Sequence, residues 1–267
     1  MVFNNKLMRR FIPLVNPIIT FLNNNSRVVT RYDHSHKSWV HTENGTVISI
    51  DKNPCWNISY KTIEKTVRAI YCKNYLPKTG DVVVDLGAGV GFETVLFQRL
   101  VGEAGMVFAV EAHPKTASFL GLLCRKNGYK NVTVSQTAIG GSNGSVYIED
   151  RNNHAANSIK EYQKDGIQVP MMTFDQFIRE KNIKRINYMK INIEGAEEDA
   201  IKGMNESIKI IENIAISCHD FLEANSNDRI KKKIIDFLLK NDFEVEESND
   251  EHYIRRSWVY AKQGAQK

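Results

Sequence analysis

The feature that most constrains this chain is a run of three valines, Val82-Val83-Val84, that ends in Asp85 and passes at once into Gly87-Ala88-Gly89-Val90-Gly91. A continuous β-branched run has no polar face. It suits a strand covered on both sides, the environment of a parallel sheet. Helical spacing follows over Phe92–Val101, with Val95, Leu96 and Leu100 on one side. Strand, glycine-rich turn and helix in that order open a β-α-β unit, and ligands of open α/β sheets sit at the carboxyl ends of such strands. An ordinary strand-to-helix turn is the alternative reading of the glycines.

The alternation continues. Strands are expected over Met106–Val110, Val132–Ala138, Tyr188–Ile193 and Ile214–Ser217, with helices between them. Pro114 marks one helix start and Asn127-Gly128 its stop. Thr173 and Gln176 form a capping box for a helix through Arg179. Gly140–Gly144 and Ser145–Ile148 suggest a short hairpin arm. Helical spacing recurs over Ala196–Met204 and Ile230–Leu239, and Phe243–Glu246 and Ser257–Ala261 end the chain as two strands. The pattern predicts an α/β fold: a doubly wound, mostly parallel, Rossmann-like sheet with an antiparallel C-terminal hairpin strand.

Residues 1–60 read apart from 61–267, as a small N-terminal extension or cap. Arg27–Tyr32 and Val47–Ile50 have strand character, and Asn44-Gly45 is a hairpin signal. Phe11–Leu22 is apolar but short, and carries Pro13, Asn16 and Pro17. It reads as a buried or surface-lying amphipathic turn rather than a membrane span or signal peptide. Ser59–Lys73 has helical spacing.

Charge is unevenly placed. Residues 1–40 hold six Lys/Arg and one acid, while the remainder holds thirty of each sign. A neutral main domain argues against a nucleic-acid partner. The basic arm is a solvated face, or one that meets an anionic membrane surface or a partner. Cys55, Cys72, Cys124 and Cys218 are scattered without a paired spacing, which suits a reducing cytoplasm.

Two details sharpen the glycine loop. Phe92 stands where a dinucleotide fingerprint needs its third glycine, so the spacing is G-x-G-x-G. Asp85 at the strand tip is poor company for a pyrophosphate and suits a cationic ligand. Glu111 ends the next strand, where a carboxylate accepts ribose hydroxyls. Gln136, Thr137 and Ala138 end the third strand, at the edge where an adenine would lie. Lys190-Ile191-Asn192-Ile193-Glu194-Gly195-Ala196-Glu197 closes the fourth strand.

Together the two loops resemble the FkbM family of methyltransferases. That family's first loop reads D-x-G-A-N-x-G-x-x-S/T; Asp85, Gly87, Ala88, Gly91 and Thr94 match, and Gly89 replaces the usual Asn. Its second signature, D-x-E-G-A-E, is matched from Glu194 onward, with Asn192 in place of the first Asp. Lys202-Gly203 and Thr173-Phe174-Asp175 also match family segments. The resemblance spans about Gly80 to Ala261. It implies S-adenosylmethionine as cofactor, held by Asp85, Gly87, Ala88, Gly89, Gly91, Glu111, Ala112, Thr137, Ala138 and Asn192. It implies O-methylation of a small-molecule or glycan acceptor. A homo-oligomer is a further expectation for the chain, separate from the resemblance.

An alcohol acceptor must lose its proton. Glu194 and His219 are the candidate bases. Glu194 is also placed to cap the next helix, and His219 also reads as a half-buried structural histidine. Asn192, His219 and Asp220 are an alternative metal set, but magnesium prefers carboxylates and water to imidazole, so no metal is expected. The competing functions are a nicotinamide-dependent oxidoreductase and a non-catalytic protein that keeps the fold. Methylation of bases commonly uses an N/D-P-P-Y-type loop after strand four, and this chain has no proline or stacking aromatic there.

Overall fold

The computed structural model describes residues 6–149, 159–160, 166–220 and 229–264. Helix α1 (Lys6–Asn24) is followed by β1 (Val28–Asp33), β2 (Ser38–Glu43) and β3 (Thr46–Asp51), which pair in order as an antiparallel sheet. The β2–β3 turn is the expected Asn44-Gly45 step, with φ of 50° and 83°, the pair of left-handed residues that a two-residue hairpin needs. The Phe11–Leu22 segment is longer than expected, because α1 continues through Pro13 and Pro17. Each proline removes one intrahelical hydrogen bond. Buried Ile12, Asn16 and Thr20, spaced four apart, hold the helix to β1 instead. α2 (Tyr60–Thr66) starts on a reciprocal Ser59–Thr62 capping box and runs into a π-helical turn over Val67–Tyr71.

The alternating segment then follows: β4 (Val82–Leu86), α3 (Phe92–Val101), β5 (Met106–Val110), α4 (Pro114–Asn127) and β6 (Val132–Ser135). The third strand is shorter than expected. It breaks after Ser135, and β7 (Ala138–Ile139) joins a second sheet with β8 (Gly144–Glu149), β9 (Ile159–Lys160) and β10 (Gly166–Met172), in the order β7-β10-β8-β9. Two side chains fix the break: Gln136 donates to the Ala112 carbonyl at 3.0 Å and Thr137 to the Pro170 carbonyl at 3.1 Å. α5 (Phe174–Glu180), β11 (Tyr188–Ile191), α6 (Glu197–Lys202), β12 (Asn213–Ser217), α7 (Arg229–Lys240), β13 (Phe243–Glu247), α8 (Tyr253–Arg256) and β14 (Trp258–Gln263) complete the described elements.

The main sheet has seven strands in the order β13-β14-β12-β11-β4-β5-β6. β4, β5, β6, β11 and β12 run parallel, and β14 lies antiparallel between β12 and β13. The expected doubly wound fold with an antiparallel C-terminal strand is therefore present. β14 separates it from a plain dinucleotide sheet, whose order is 3-2-1-4-5-6. One face of the sheet packs on α3 and α4, and that core also takes Val28, Val47, Ile48 and Ile50 from the N-terminal sheet. The other face packs on α5, α6 and α7. The order of connection reverses between β4 and β11, so the loops after these two strands diverge over a crevice.

Gly87 shows how tightly those loops meet. Its φ is +76°, and a Cβ built there would lie 2.0 Å from the Asn192 carbonyl oxygen. Backbone, not a flexible side chain, occupies that space. Gly87→Ala is expected to cost at least about 2 kcal/mol of folding stability, read as a lowered urea midpoint with an unchanged slope.

Candidate active site

A cavity of about 450 Å³ opens at the β4–β11 crevice, within the size range of small-molecule sites. Its floor is the loop after β4, with Gly87, Ala88, Gly89, Phe92 and Glu93. Glu111, Ala112 and His113 after β5 form one side, and Thr137, Ala138, Ile139 and Ile148 continue it. Asn192, Ile193 and Glu194 after β11 form the other side. Tyr71, Asp51 and Cys55 close it from the N-terminal portion. Of the residues singled out from sequence, Gly87, Ala88, Gly89, Glu111, Ala112, Thr137, Ala138, Asn192 and Glu194 line this one cavity. Gly91, Asp85 and His219 stand behind its wall. Gly91 caps α3 with φ of 95° and packs against Leu120.

Asp85 departs from the expectation that it meets the ligand. Lys190 lies opposite it in register on β11. The two side chains are 0% and 1% exposed and form an ion pair at 2.9 Å. The Lys190 ammonium also donates to the Gly87 carbonyl at 2.8 Å, which ties the fourth strand to the glycine loop. Burial alone would depress the lysine pKa, but Asp85 and Glu93 outweigh it and hold the group above its ordinary value.

The acidic character expected of this site comes from other residues. Asp51, Glu93, Glu111 and Glu194 line the cavity, against Lys190 as the one lysine or arginine in the lining among the described residues. Burial pushes Glu93, Glu111 and Glu194 above the usual carboxylate range; Lys190 opposes the rise at all three, and Asp85 adds to it at Glu93 and Glu111. Glu111 also accepts the Gly89 and His113 amides, each at 2.9 Å, so the β5 tip clamps the glycine loop. Two amides leave a carboxylate with unfilled acceptor positions. The excess of carboxylates suits a cation and opposes a pyrophosphate.

Glu194 sits in the left-handed region with φ of 54°, uncommon outside glycine, and Gly195 follows at 99°. It does not cap α6. Glu197 ties this turn instead, accepting the Ile193 and Gly195 amides at 3.1 Å each. Glu197 is fully buried and bonds His219 Nδ1 at 2.6 Å. On its other side His219 Nε2 lies 3.7 Å from Glu194 Oε1. Burial pulls the imidazole pKa down, but the bond to Glu197 and the charges of Glu197 and Glu194 reverse this and raise it. His219 is thus buried and partnered, behind Glu194 as seen from the cavity. Asp220 is committed elsewhere, accepting the Ile230 and Lys231 amides at 2.6 and 2.9 Å at the start of α7. Among the described residues no three His, Cys, Asp or Glu side chains converge as a metal set.

Sequence reasoning did not assign Glu93, Lys190 or Glu197 a role, although each lies within or beside a quoted motif. Asp51, Cys55 and Tyr71 carried no signal at all. Asp51 and Cys55 reach the cavity because the N-terminal sheet packs on α4, through contacts such as the Asn127 side chain bonded to both backbone groups of Val47 at 2.8 Å, and Tyr71 reaches it from the turn after α2.

A doubly wound sheet with an inserted antiparallel strand, an acidic crevice at its switch point and a carboxylate at the second strand tip define a nucleoside-binding α/β enzyme. Residues 85–245 match the profile of the methyltransferase FkbM domain. The chain belongs to the FkbM family of S-adenosylmethionine-dependent methyltransferases. It is 24% identical over 196 residues to Methyltransferase 1 of Beauveria bassiana, covering 64% of this chain and 78% of that one. It is 39% identical over 56 residues to a protein-L-isoaspartate O-methyltransferase of Aeropyrum pernix, covering 21% and 22% of the two chains. The crystal structure of a methyltransferase FkbM from Methylobacillus flagellatus KT superposes with a TM-score of 0.51 at 14% identity, covering 77% of this chain and 51% of that one.

The Asp85–Lys190 pair yields a stability prediction. Lys190→Met leaves a buried carboxylate without its partner and is expected to cost about 3–5 kcal/mol. The double variant Asp85→Leu, Lys190→Met removes both charges and is expected to recover more than half of that loss in the same denaturant titration.

Proposed function

We propose that this chain transfers a methyl group from S-adenosylmethionine to a hydroxyl oxygen of a small-molecule or glycan acceptor, with Glu194 as the base that takes the hydroxyl proton. The observation that carries this reading is the Glu197–His219–Glu194 chain, whose last carboxylate lines the cavity beside the glycine loop. An alcohol is a poor nucleophile until its proton leaves, so an oxygen acceptor needs such a base.

The cavity fits the cofactor on its own features. Gly89 has φ of +56° and nothing within 4 Å of where a Cβ would lie, an open cradle for close approach of a ligand. Glu111 has acceptor capacity left for ribose hydroxyls. Ala112, Thr137, Ala138 and Ile148 offer small and apolar surface for an adenine. Glu93 and Asp51 supply negative charge for the ammonium group. When bound, the cofactor supplies a methyl group already activated on a sulfonium. The protein's residues then align the acceptor, exclude water and receive the proton at a Glu194 oxygen. Glu197 favours the protonated form of His219, and that form stabilises the Glu194 carboxylate before transfer.

The carboxylate-rich lining opposes the pyrophosphate of a nicotinamide cofactor. The neutral charge balance of residues 41–267 supports an acceptor other than nucleic acid. The four cysteines are all free thiols, which supports a reducing, cytoplasmic setting.

Calorimetric titration with S-adenosylhomocysteine tests the cofactor site. The wild-type chain is expected to bind in the micromolar range, and Glu111→Gln to weaken binding about tenfold or more through the lost ribose contact. A folded wild-type chain that binds none ends the reading.

The base has its own signature. Glu194→Gln is expected to lower kcat by about 10²-fold or more while cofactor binding persists. Activity should rise with pH as Glu194 loses its proton. His219→Gln removes the group whose charge lowers the Glu194 pKa, so that pKa climbs further and the acid limb of the kcat profile moves to higher pH. A limb that stays in place would remove His219 from the mechanism.

A further inference from the structure

The active site makes no use of the outer face of α1. Ile12, Asn16 and Thr20 form its fully buried inner stripe. Asn16 donates to Thr30 Oγ1 at 2.7 Å and to the Cys55 carbonyl at 3.4 Å, and Thr20 Oγ1 accepts the Val28 amide at 3.2 Å. At the other end, Asn24 donates to the Asn57 side-chain oxygen at 2.8 Å. The helix is therefore docked through polar contacts, and its opposite face is free of the fold.

That opposite face is apolar. Leu7, Phe11, Leu14, Ile18, Phe21 and Leu22 are 54–75% exposed, and they are six of the twelve large hydrophobic side chains that the described structure leaves exposed. Their spacing of three and four places them on one side of the helix. A contiguous stripe of this size is normally covered by something.

Two occupants compete: a second copy of the chain and a lipid surface. Charge decides between them. The α1 sequence carries three bases, Lys6, Arg9 and Arg10, and no acid. A paired copy would add three more positive charges and supply none of the opposite charges that flank helix–helix seams. An anionic bilayer supplies them. Arg10 is exposed at the edge of the stripe, while Arg9 is turned in on Tyr32, 3.9 Å from the ring centre. Trp56, 39% exposed, sits between Cys55 and Asn57, the two residues bonded to α1, and tryptophan favours the membrane–water boundary. Spanning is not the mode. No described helix is long and apolar enough to cross a membrane, and the inner stripe is engaged with the sheet.

We propose that α1 is an interfacial helix that lies in the plane of an anionic membrane surface, its apolar stripe among the acyl chains and Arg10 at the headgroups. This does not rest on the methyl-transfer reading. The helix is bonded to the Cys55–Asn57 segment, and Cys55 lines the cavity, so the surface would sit beside the active site.

Flotation of the full chain with vesicles tests the proposal. Vesicles of phosphatidylglycerol mixed with phosphatidylcholine are expected to carry the protein, and phosphatidylcholine alone to carry several-fold less. Leu14→Glu with Ile18→Glu, both on the exposed face, should reduce binding to anionic vesicles at least about tenfold while the melting temperature and S-adenosylhomocysteine binding persist. Arg10→Glu and raised salt should each weaken it several-fold. Absence of binding to anionic vesicles, or binding that the double variant leaves intact, overturns the proposal. So does a dimer in sedimentation velocity that the double variant dissolves without any vesicle binding, which assigns the face to a second copy.

Discussion

The ion pair between Asp85 and Lys190 organises the centre of this molecule. It joins the two strands between which the sheet reverses its order of connection, and it is sealed from water on both sides. Such a pair is held by the cost of separating it rather than by any large net gain in stability. The same ammonium reaches the Gly87 carbonyl, so the pair sets the height of the glycine loop as well as the spacing of the strands. Gly87 can approach the Asn192 backbone only because it has no side chain. Two loops distant in sequence thus become a single floor.

Around that buried cation the cavity collects carboxylates whose ionisation is held back by burial. Glu93, Glu111 and Glu194 all sit above their ordinary range. A cationic ligand lowers the free energy of the ionised forms, so this set of carboxylates suits a ligand that carries positive charge. Glu194 differs from the others because it has a support of its own, the His219 imidazole held by Glu197. Glu197 fastens three things at once: the Ile193 amide, the Gly195 amide and His219.

Much of this was legible in the sequence. The Val82–Val84 run, the alternation after it and the Asn44-Gly45 turn each lead to the element that forms, because each depends on local chemistry. The second sheet was not legible. β7 is two residues long, and its partner β10 begins only at Gly166, with Met171 pairing back to Ala138. Asp85 was assigned to the ligand because the cation beside it is brought there by strand register, which a motif does not encode. Glu197 was quoted within its motif, but its role depends on His219, twenty-two residues away. Asp51, Cys55 and Tyr71 line the cavity through tertiary packing alone.

The position of β3 has a consequence for how the chain matures. Val47, Ile48 and Ile50 are made before the surfaces that bury them, on α3 and α4, which come from residues 92–127. Until those helices emerge, the N-terminal sheet must keep an apolar face in water. Its docking is a late, long-range closure, and that closure brings Asp51 and Cys55 to the cavity. One wall of the cavity is therefore built from residues that precede, in the chain, the helices that hold them in place, and assembly of the pocket depends on that long-range packing.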